Sequence, residues 1–451
     1  MILETALDLL KHKDYKTLKT LISEENPADL ALLLDELPKE DAVITYRLLP
    51  KELATEVFSH LEGDNREALI TAFSDKELEE VVADLFIDDA VDLIEEMPAS
   101  VVKRILKHTS PEDRKIINEI LNYPKDSAGS IMTTEFVTLR RDMTVEQAFD
   151  RIRKTGVDKE TIYTCYVTDD TKKLLGTVSV KDLLLSDYST HIEDIMEDNP
   201  ISVVTTDDKE DVAKQLTHYD FMAMPVTDTE NRLVGIVTFD DAMDVIEDET
   251  EEDFAIMAAM SPSEDGYFKT SVFVHAKNRI FWLLFLMLSS TITGSIIAKY
   301  EEAFAALPIL VAFIPMLMSA GGNCGSQSST MVIRGLAVNE IRFKDFFKVV
   351  FKELRISIIV GVILSVINAV RILIMYRNSQ ECDSAVLALI VSLTLVLVVI
   401  IAQIMGCCLP MLAKKLKFDP AIMAAPLIST IADTCSVLIF FNIAMTILHL
   451  R

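Results

Sequence analysis

Beyond residue 279 the chain carries five apolar stretches of bilayer-crossing length, at about 280–298, 303–331, 354–376, 385–412 and 421–448. A hydrocarbon core about 30 Å thick needs about 20 apolar residues in a helix. Lipid offers no partner to backbone amides, so stretches like these fold as helices whose hydrogen bonds are internal. Residues 280–451 are therefore expected to form a bundle of five spans. The rest of the chain is too charged to follow them into lipid. Of the 70 Asp and Glu residues, 61 lie at or before residue 269, where the net charge is −33, against +6 from Thr270 onward and −27 overall. An acidic soluble half repels nucleic acid and anionic surfaces and attracts cations, so nucleic acid is not an expected partner.

The six cysteines form no CxxC pair and mostly lie in apolar runs, which argues against a disulfide framework or a zinc site. The N-terminus, with Glu4 in MILETALDLLK, carries no cleavable signal pattern. Basic residues gather at Lys277 and Arg279 before the first span, at Arg334, Arg342, Lys344, Lys348, Lys352 and Arg355 between the second and third, and at Lys414, Lys415 and Lys417 between the fourth and fifth. By the positive-inside rule the acidic half is cytosolic and the C-terminus outside, in a multi-pass protein of the cell membrane.

Residues 1–128 read as short helices broken about every dozen residues, at Pro27, Pro38, Pro50, Gly63, Ser74, Asp88, Pro98, Pro111 and Pro124. Repeats of this kind stack into a small superhelix, and a proline at a break suits the first turn of the next helix. Asp88, Asp89 and Asp92 fall within five residues, with Asp88 and Asp92 on one helical face. The plain reading is that Asp88 or Asp89 caps a helix. Residues 129–250 change to strands alternating with helices, in two echoing copies at about 129–190 and 191–250: SIMTTEFVTL matches DIMEDNPISV, and Gly176 matches Gly235. The repeat resembles a pair of CBS modules, which implies an α+β Bateman unit that often dimerises. Each copy ends in Ser/Thr-x-x-Asp, at Ser179–Asp182 and Thr238–Asp241. In nucleotide-binding relatives this pattern holds a ribose, making ATP a candidate ligand, while the plainer and favoured reading is a helix cap. A run of acids follows, from Asp240, Asp241 and Asp244 through Glu247 and Glu252 to Asp253. Like charges this dense favour a bridging dication wherever a second acidic surface meets them.

In the membrane half, Asp433 stands alone in the middle of the last span, and a carboxylate there faces a bundle interior or a wet path. The alternative is a structural acid bonded to Thr430 or Thr434. The second span contains Pro308 and Pro315 and then Ser319-Ala-Gly-Gly-Asn-Cys-Gly-Ser-Gln-Ser-Ser-Thr330. Tight packing explains its glycines, whereas a broken helix lining a wet cavity also explains Asn323, Gln327 and the hydroxyls. Mg2+ takes six oxygen ligands and sheds water reluctantly, so carboxylates with amide and hydroxyl acceptors around a hydrated ion suit it. One Asp per chain becomes a pair across a two-fold axis. The pore set is Asp433 with Asn323, Ser326, Thr330 and Ser429.

PMLMSAGGNCGSQSSTMVIRGLA and DPAIMAAPLISTIADTCSVLIFF resemble the second and fifth spans of the MgtE-type magnesium channels, and so does the whole order of segments. Ser326 occupies a position where the family often carries Asn, and Ala425 one where an Asn can occur. The resemblance implies a homodimeric Mg2+ channel with its pore site at Asp433. It also implies regulatory Mg2+ sites at the acids matching Asp88, Asp89, Asp92, Asp240, Asp241 and Asp244, with Asp208, Glu210, Asp220, Glu247, Glu252 and Asp253 as further candidates. The expected fold is multi-domain: an all-α superhelical N-domain (1–128), an α+β tandem CBS unit (129–250), a connecting plug helix (251–279) and an α-helical five-span transmembrane bundle (280–451). The expected function is uptake of Mg2+ closed off by cytosolic Mg2+, against a non-conducting Mg2+ sensor or a CBS-regulated carrier of Co2+ or Mn2+. No P-loop, HExxH or GxSxG points to catalysis.

Overall fold

A computed structural model of the chain describes residues 2–61, 63–263, 267, 270–300, 308–377, 383–423 and 425–448. It divides into two compact units, Met1–Glu247 and Asp248–Arg451.

The first unit opens with ten short helices, α1 (Ile2–Lys11) to α10 (Pro111–Ile120). From α3 (Pro27–Glu36) onward each helix begins twelve residues after the last, at residues 27, 39, 51, 63, 75, 87, 99 and 111. The stops are chemical. Pro27 and Pro111 occupy the first helical turn, where the missing N–H costs nothing, behind the N-caps Asn26 and Ser110. Pro38, Pro50 and Pro98 sit one position earlier, as the N-cap residues themselves. Ser74 forms a reciprocal capping box with Glu77 on α7 (Asp75–Asp84). With this period helices pack on the one two further along: α3 on α5 (Lys51–Ser59), α4 (Lys39–Tyr46) on α6 (Gly63–Ala72), α7 on α9 (Ala99–His108), and α8 (Ile87–Glu96) on α10. That is a superhelix of neighbour contacts.

The CBS unit contains two small sheets of the same design. In the first, β1 (Phe136–Leu139) runs parallel to β2 (Thr161–Thr168), which pairs antiparallel with β3 (Leu174–Ser179), and β4 (Glu197–Asp198) closes the edge. In the second, β5 (Val203–Val204) is parallel to β6 (Ala223–Thr227), which pairs antiparallel with β7 (Leu233–Thr238). The matched glycines hold the same register, Gly176 opposite Val167 and Gly235 opposite Val226. Each is needed because the other copy crosses it. A Cβ on Gly176 would stand 2.7 Å from the Glu197 carbonyl oxygen, and one on Gly235 would stand 2.9 Å from that of Thr133. The lead-in of each copy thus seals the hairpin of the other. One apolar core runs from Leu18 through Leu69 and Leu93 to Met132, Leu216 and Met224, joining the superhelix to the second copy.

Among the described residues the second unit holds five helices long and apolar enough to cross a membrane: Val272–Lys299, Pro308–Ala337, Phe343–Met375, Ser384–Lys415 and Pro420–Ile447. The second packs on the fourth and fifth, the third on the fourth, and the first on the fifth. Two expectations are corrected. No single connecting helix spans 251–279. The last CBS helix runs Phe239–Met257, Ala259 then turns left-handed (φ 54°), and a new helix starts at Val272 behind the N-cap Ser271. Of the linker, residues 264–266 and 268–269 lie outside the described residues.

The second span is not broken at Ser319–Thr330. A 3-10 turn at Pro308–Phe313 leads into one helix, Ile314–Ala337, with Pro315 harmless in its first turn. Its glycines serve contact. A Cβ on Gly321 would meet Ser436 Oγ at 2.8 Å, and one on Gly325 would meet Ile428 at 2.7 Å. Gly406 of the fourth span in turn faces the Gly325 carbonyl. Ser328 donates to the Gln403 carbonyl (3.0 Å) and Ser329 to that of Met423 (2.7 Å). Ser328 and Ser329 are therefore packing chemistry.

Candidate cation sites

In the first unit three carboxylates converge. Oxygens of Asp88, Glu135 and Glu160 all lie within 4.8 Å of one another. Each is delivered by a separate element. Asp88 and Asp89 stand in the first turn of α8, whose N-cap residue is Phe86 and makes no side-chain cap bond, so neither aspartate is the N-cap the sequence suggested. The carboxylate of Glu135 stands in instead, accepting the Ile87 N–H at 3.0 Å. Glu135 and Glu160 each precede a strand, and the parallel register Phe136↔Thr161 sets them side by side. The Glu160 N–H donates to the Glu135 carbonyl at 3.0 Å. Sequence reasoning missed both glutamates. The available signal was a Glu directly before each of two strands that pair in parallel.

Asp240 and Asp241 open the helix Phe239–Met257 and add their charge. Burial, then Asp241, Glu160 and Asp89, hold the Asp88 carboxyl well above the usual carboxylate range. Burial with Asp240, Asp241, Asp89 and Glu135 pushes Glu160 up to about 7. Asp241 is pushed up to about 6 by burial, against the Thr238 hydroxyl that bonds its carboxylate. Burial also raises Asp89, although Arg66 and His60 pull it down. Two carboxylates at this separation repel by roughly 3–4 kcal/mol at an effective dielectric near 20. The buried Oε2 of Glu160 has no hydrogen-bond partner among the described residues. Crowded carboxylate oxygens without His or Cys fit a hard dication.

Of the other candidates, Asp244 adds its charge to Asp241. Asp92 and Asp244 are exposed, each about one turn further along its helix, as is Glu247. Glu252 is exposed and Asp253 half-buried, further along the same helix as Glu247. Asp208 N-caps the helix Lys209–His218, Glu210 pairs with Lys214, and Asp220 occupies a left-handed turn (φ 55°) just after it. Ser179 caps the helix Val180–Leu185 through the Asp182 N–H (3.1 Å) and bonds its carboxylate, as the capping reading expects.

In the second unit Asp433 is half-buried on the fifth span. The flanking hydroxyls do not serve it: Thr430 donates to the Pro426 carbonyl (3.0 Å) and Thr434 to that of Thr430 (3.2 Å), with Thr293 beside Thr434 at 2.7 Å. On the second span Asn323, Gln327 and Thr330 are exposed at helical spacing, and Asn323 donates to Ser319 Oγ (3.3 Å). They form one exposed polar face, while Ser326, Ser328 and Ser329 are half-buried or buried. Ser326 is half-buried with its hydroxyl on the Gly322 carbonyl (2.7 Å), and Ser429 packs against Gly322.

Comparison with known proteins agrees with this division. The magnesium transporter MgtE of Thermus thermophilus is 34% identical over 446 residues, 98% of this chain and 97% of the relative. That of Bacillus subtilis is 33% identical over 441 residues, 98% and 96%. The chain belongs to the MgtE family. The family model for the membrane part, a divalent cation transporter, matches 314–443; the MgtE intracellular N domain matches 25–126, and CBS domains match 128–187 and 192–248. Among solved structures, the cytosolic domain of the Mg2+ channel MgtE in complex with ATP superposes with a TM-score of 0.51 at 36% identity, covering 54% of this chain and 99% of that one. The soluble part of a magnesium transporter gives 0.51 at 34% identity, covering 55% and 98%. MgtE family members are transporters, and this one has five helices suited to a membrane.

Proposed function

We propose that this MgtE family member is a homodimeric, Mg2+-selective channel of the cell membrane that admits Mg2+ and is closed by Mg2+ on its cytosolic side. The observation that carries the reading is the polar face of Asn323, Gln327 and Thr330 in a helix of membrane length, together with the intramembrane Asp433. Exposed amides and hydroxyls in lipid are unfavourable unless they line water or a partner chain. A second copy placed across a two-fold axis turns both features inward and doubles the carboxylate. A hydrated dication then meets two Asp433 side chains, with Asn323, Ser326, Thr330 and Ser429 holding its waters.

The regulatory arm rests on Asp88, Glu135, Glu160 and Asp241. Mg2+ among them relieves like-charge repulsion and clamps the superhelix to the CBS unit. For that clamp to close the pore, Mg2+ must bind the closed state more tightly than the open one. Thr238 and Asp241 belong to this cluster, so ATP, bound by the solved relative, is proposed here only as a second ligand of the CBS unit. The test is Mg2+ uptake into vesicles holding the purified chain. Asp433→Asn at equal incorporation should lower flux at least about tenfold, the factor that roughly 1.4 kcal/mol of lost ion stabilisation carries. Wild-type flux in that variant removes the pore assignment.

A further inference from the structure

The second unit contains a basic pocket that the transport path does not use. It lies where the second span ends and the fourth span ends, a cavity of about 160 Å3 lined by Leu336, Asn339, Ile341, Arg342, Phe343, Met411, Lys414 and Lys415. That is well above the ~10–15 Å3 one water needs. Three cations and one amide face it, and no carboxylate lines it. Two of the cations are held by the fold. Lys414 Nζ donates to the Leu336 carbonyl at 2.9 Å, and Lys415 Nζ sits over the Phe343 ring, 4.5 Å from its centroid. Of the flanking acids, Asp345 pairs with Lys348 (3.1 Å) and Asp419 accepts the Ala421 N–H (2.8 Å), while Glu340, between Asn339 and Ile341, is exposed and is not part of the lining.

The depth of the pocket says what fills it. The fourth span has 32 residues, about 48 Å of helix against a hydrocarbon core of about 30 Å, so its basic end reaches the headgroup layer. Close in the chain to the lining residues, large apolar side chains are exposed: Phe347 is 82% exposed, Leu416 67% and Phe418 61%. Charge on the inside and grease on the rim match a lipid, with its phosphate among the cations and its acyl chains along the phenylalanines. A free phosphate has no use for the rim. We propose that this pocket binds the headgroup of an anionic phospholipid from the leaflet facing the 338–345 and 416–419 connections.

The experiment is native mass spectrometry of the full chain titrated with phosphatidylglycerol or phosphatidylcholine. Phosphatidylglycerol should bind in preference. Arg342→Gln/Lys415→Gln should weaken it at least about tenfold, since each removes a charged donor facing the phosphate. Lys344→Gln/Lys352→Gln removes the same charge outside the pocket and should leave binding unchanged, while Arg342→Lys/Lys415→Arg, which keeps charge and fold, should retain it. Excess inorganic phosphate should not displace the lipid. Equal loss in both Gln pairs, no preference between the two lipids, or displacement by phosphate each overturns the proposal.

Discussion

At the scale of single residues the soluble site is defined by carboxylates kept from ionising fully by their neighbours. Glu160 at about 7 and Asp241 at about 6 hold protons more tightly when folded than in an unfolded chain, where carboxylates titrate near 4. Between about pH 4 and pH 7 the metal-free folded state therefore binds more protons than the unfolded one, and its stability falls as pH rises through that window. On the proposed regulatory role, Mg2+ displaces those protons. Thermal melts of the soluble half should show the metal-free form losing stability from pH 5 to 7 while the gain from added Mg2+ grows. A Mg2+ gain independent of pH would contradict the assignment. Glu160→Gln should flatten both trends. The aspartates of this site were legible in the sequence because they cluster. Glu135 and Glu160 were not, because 25 residues separate them and only the parallel pairing of β1 and β2 joins them.

At the scale of elements the twelve-residue period was legible because proline and serine mark the breaks, and the CBS repeat because its glycines recur. The close approach at those glycines belongs to the other copy, which sequence spacing does not report. Gly176→Ala and Gly235→Ala should each destabilise the soluble half by about 1–3 kcal/mol, since a Cβ meets a backbone oxygen of the other copy as well as a methionine side chain, and the backbone cannot move aside. Ser74→Ala, which removes one capping box, should cost about 1 kcal/mol. Denaturant unfolding checks both, and a silent glycine substitution would mean that the crossing strands are not packed as described. The second span was misjudged as broken because glycine, serine and asparagine there read as breakers. The fourth and fifth spans accept the glycines, and the serines hydrogen-bond within the bundle, so the helix stays continuous. The plug helix was misplaced because the acidic run of the last CBS helix continues without a breaker to Met257, and the left-handed turn falls on Ala259, a residue with no turn signature.

At the scale of the whole molecule, an acidic soluble unit and a membrane unit with one central carboxylate do different work with the same chemistry. On the proposed function, oxygen in the membrane attracts the ion, and oxygen in the acidic unit responds to what has entered. Removing Mg2+ should loosen the superhelix from the CBS unit, seen as faster proteolysis between α10 and β1, and Asp88→Asn/Glu160→Gln should blunt that response. The most direct test records Mg2+ current in inside-out patches while the cytosolic face is stepped from Mg2+-free to millimolar Mg2+, for the wild type and for Asp88→Asn/Glu160→Gln. The account predicts that the wild type closes and the double variant stays open. Closure of both alike, or no current in either, would contradict it.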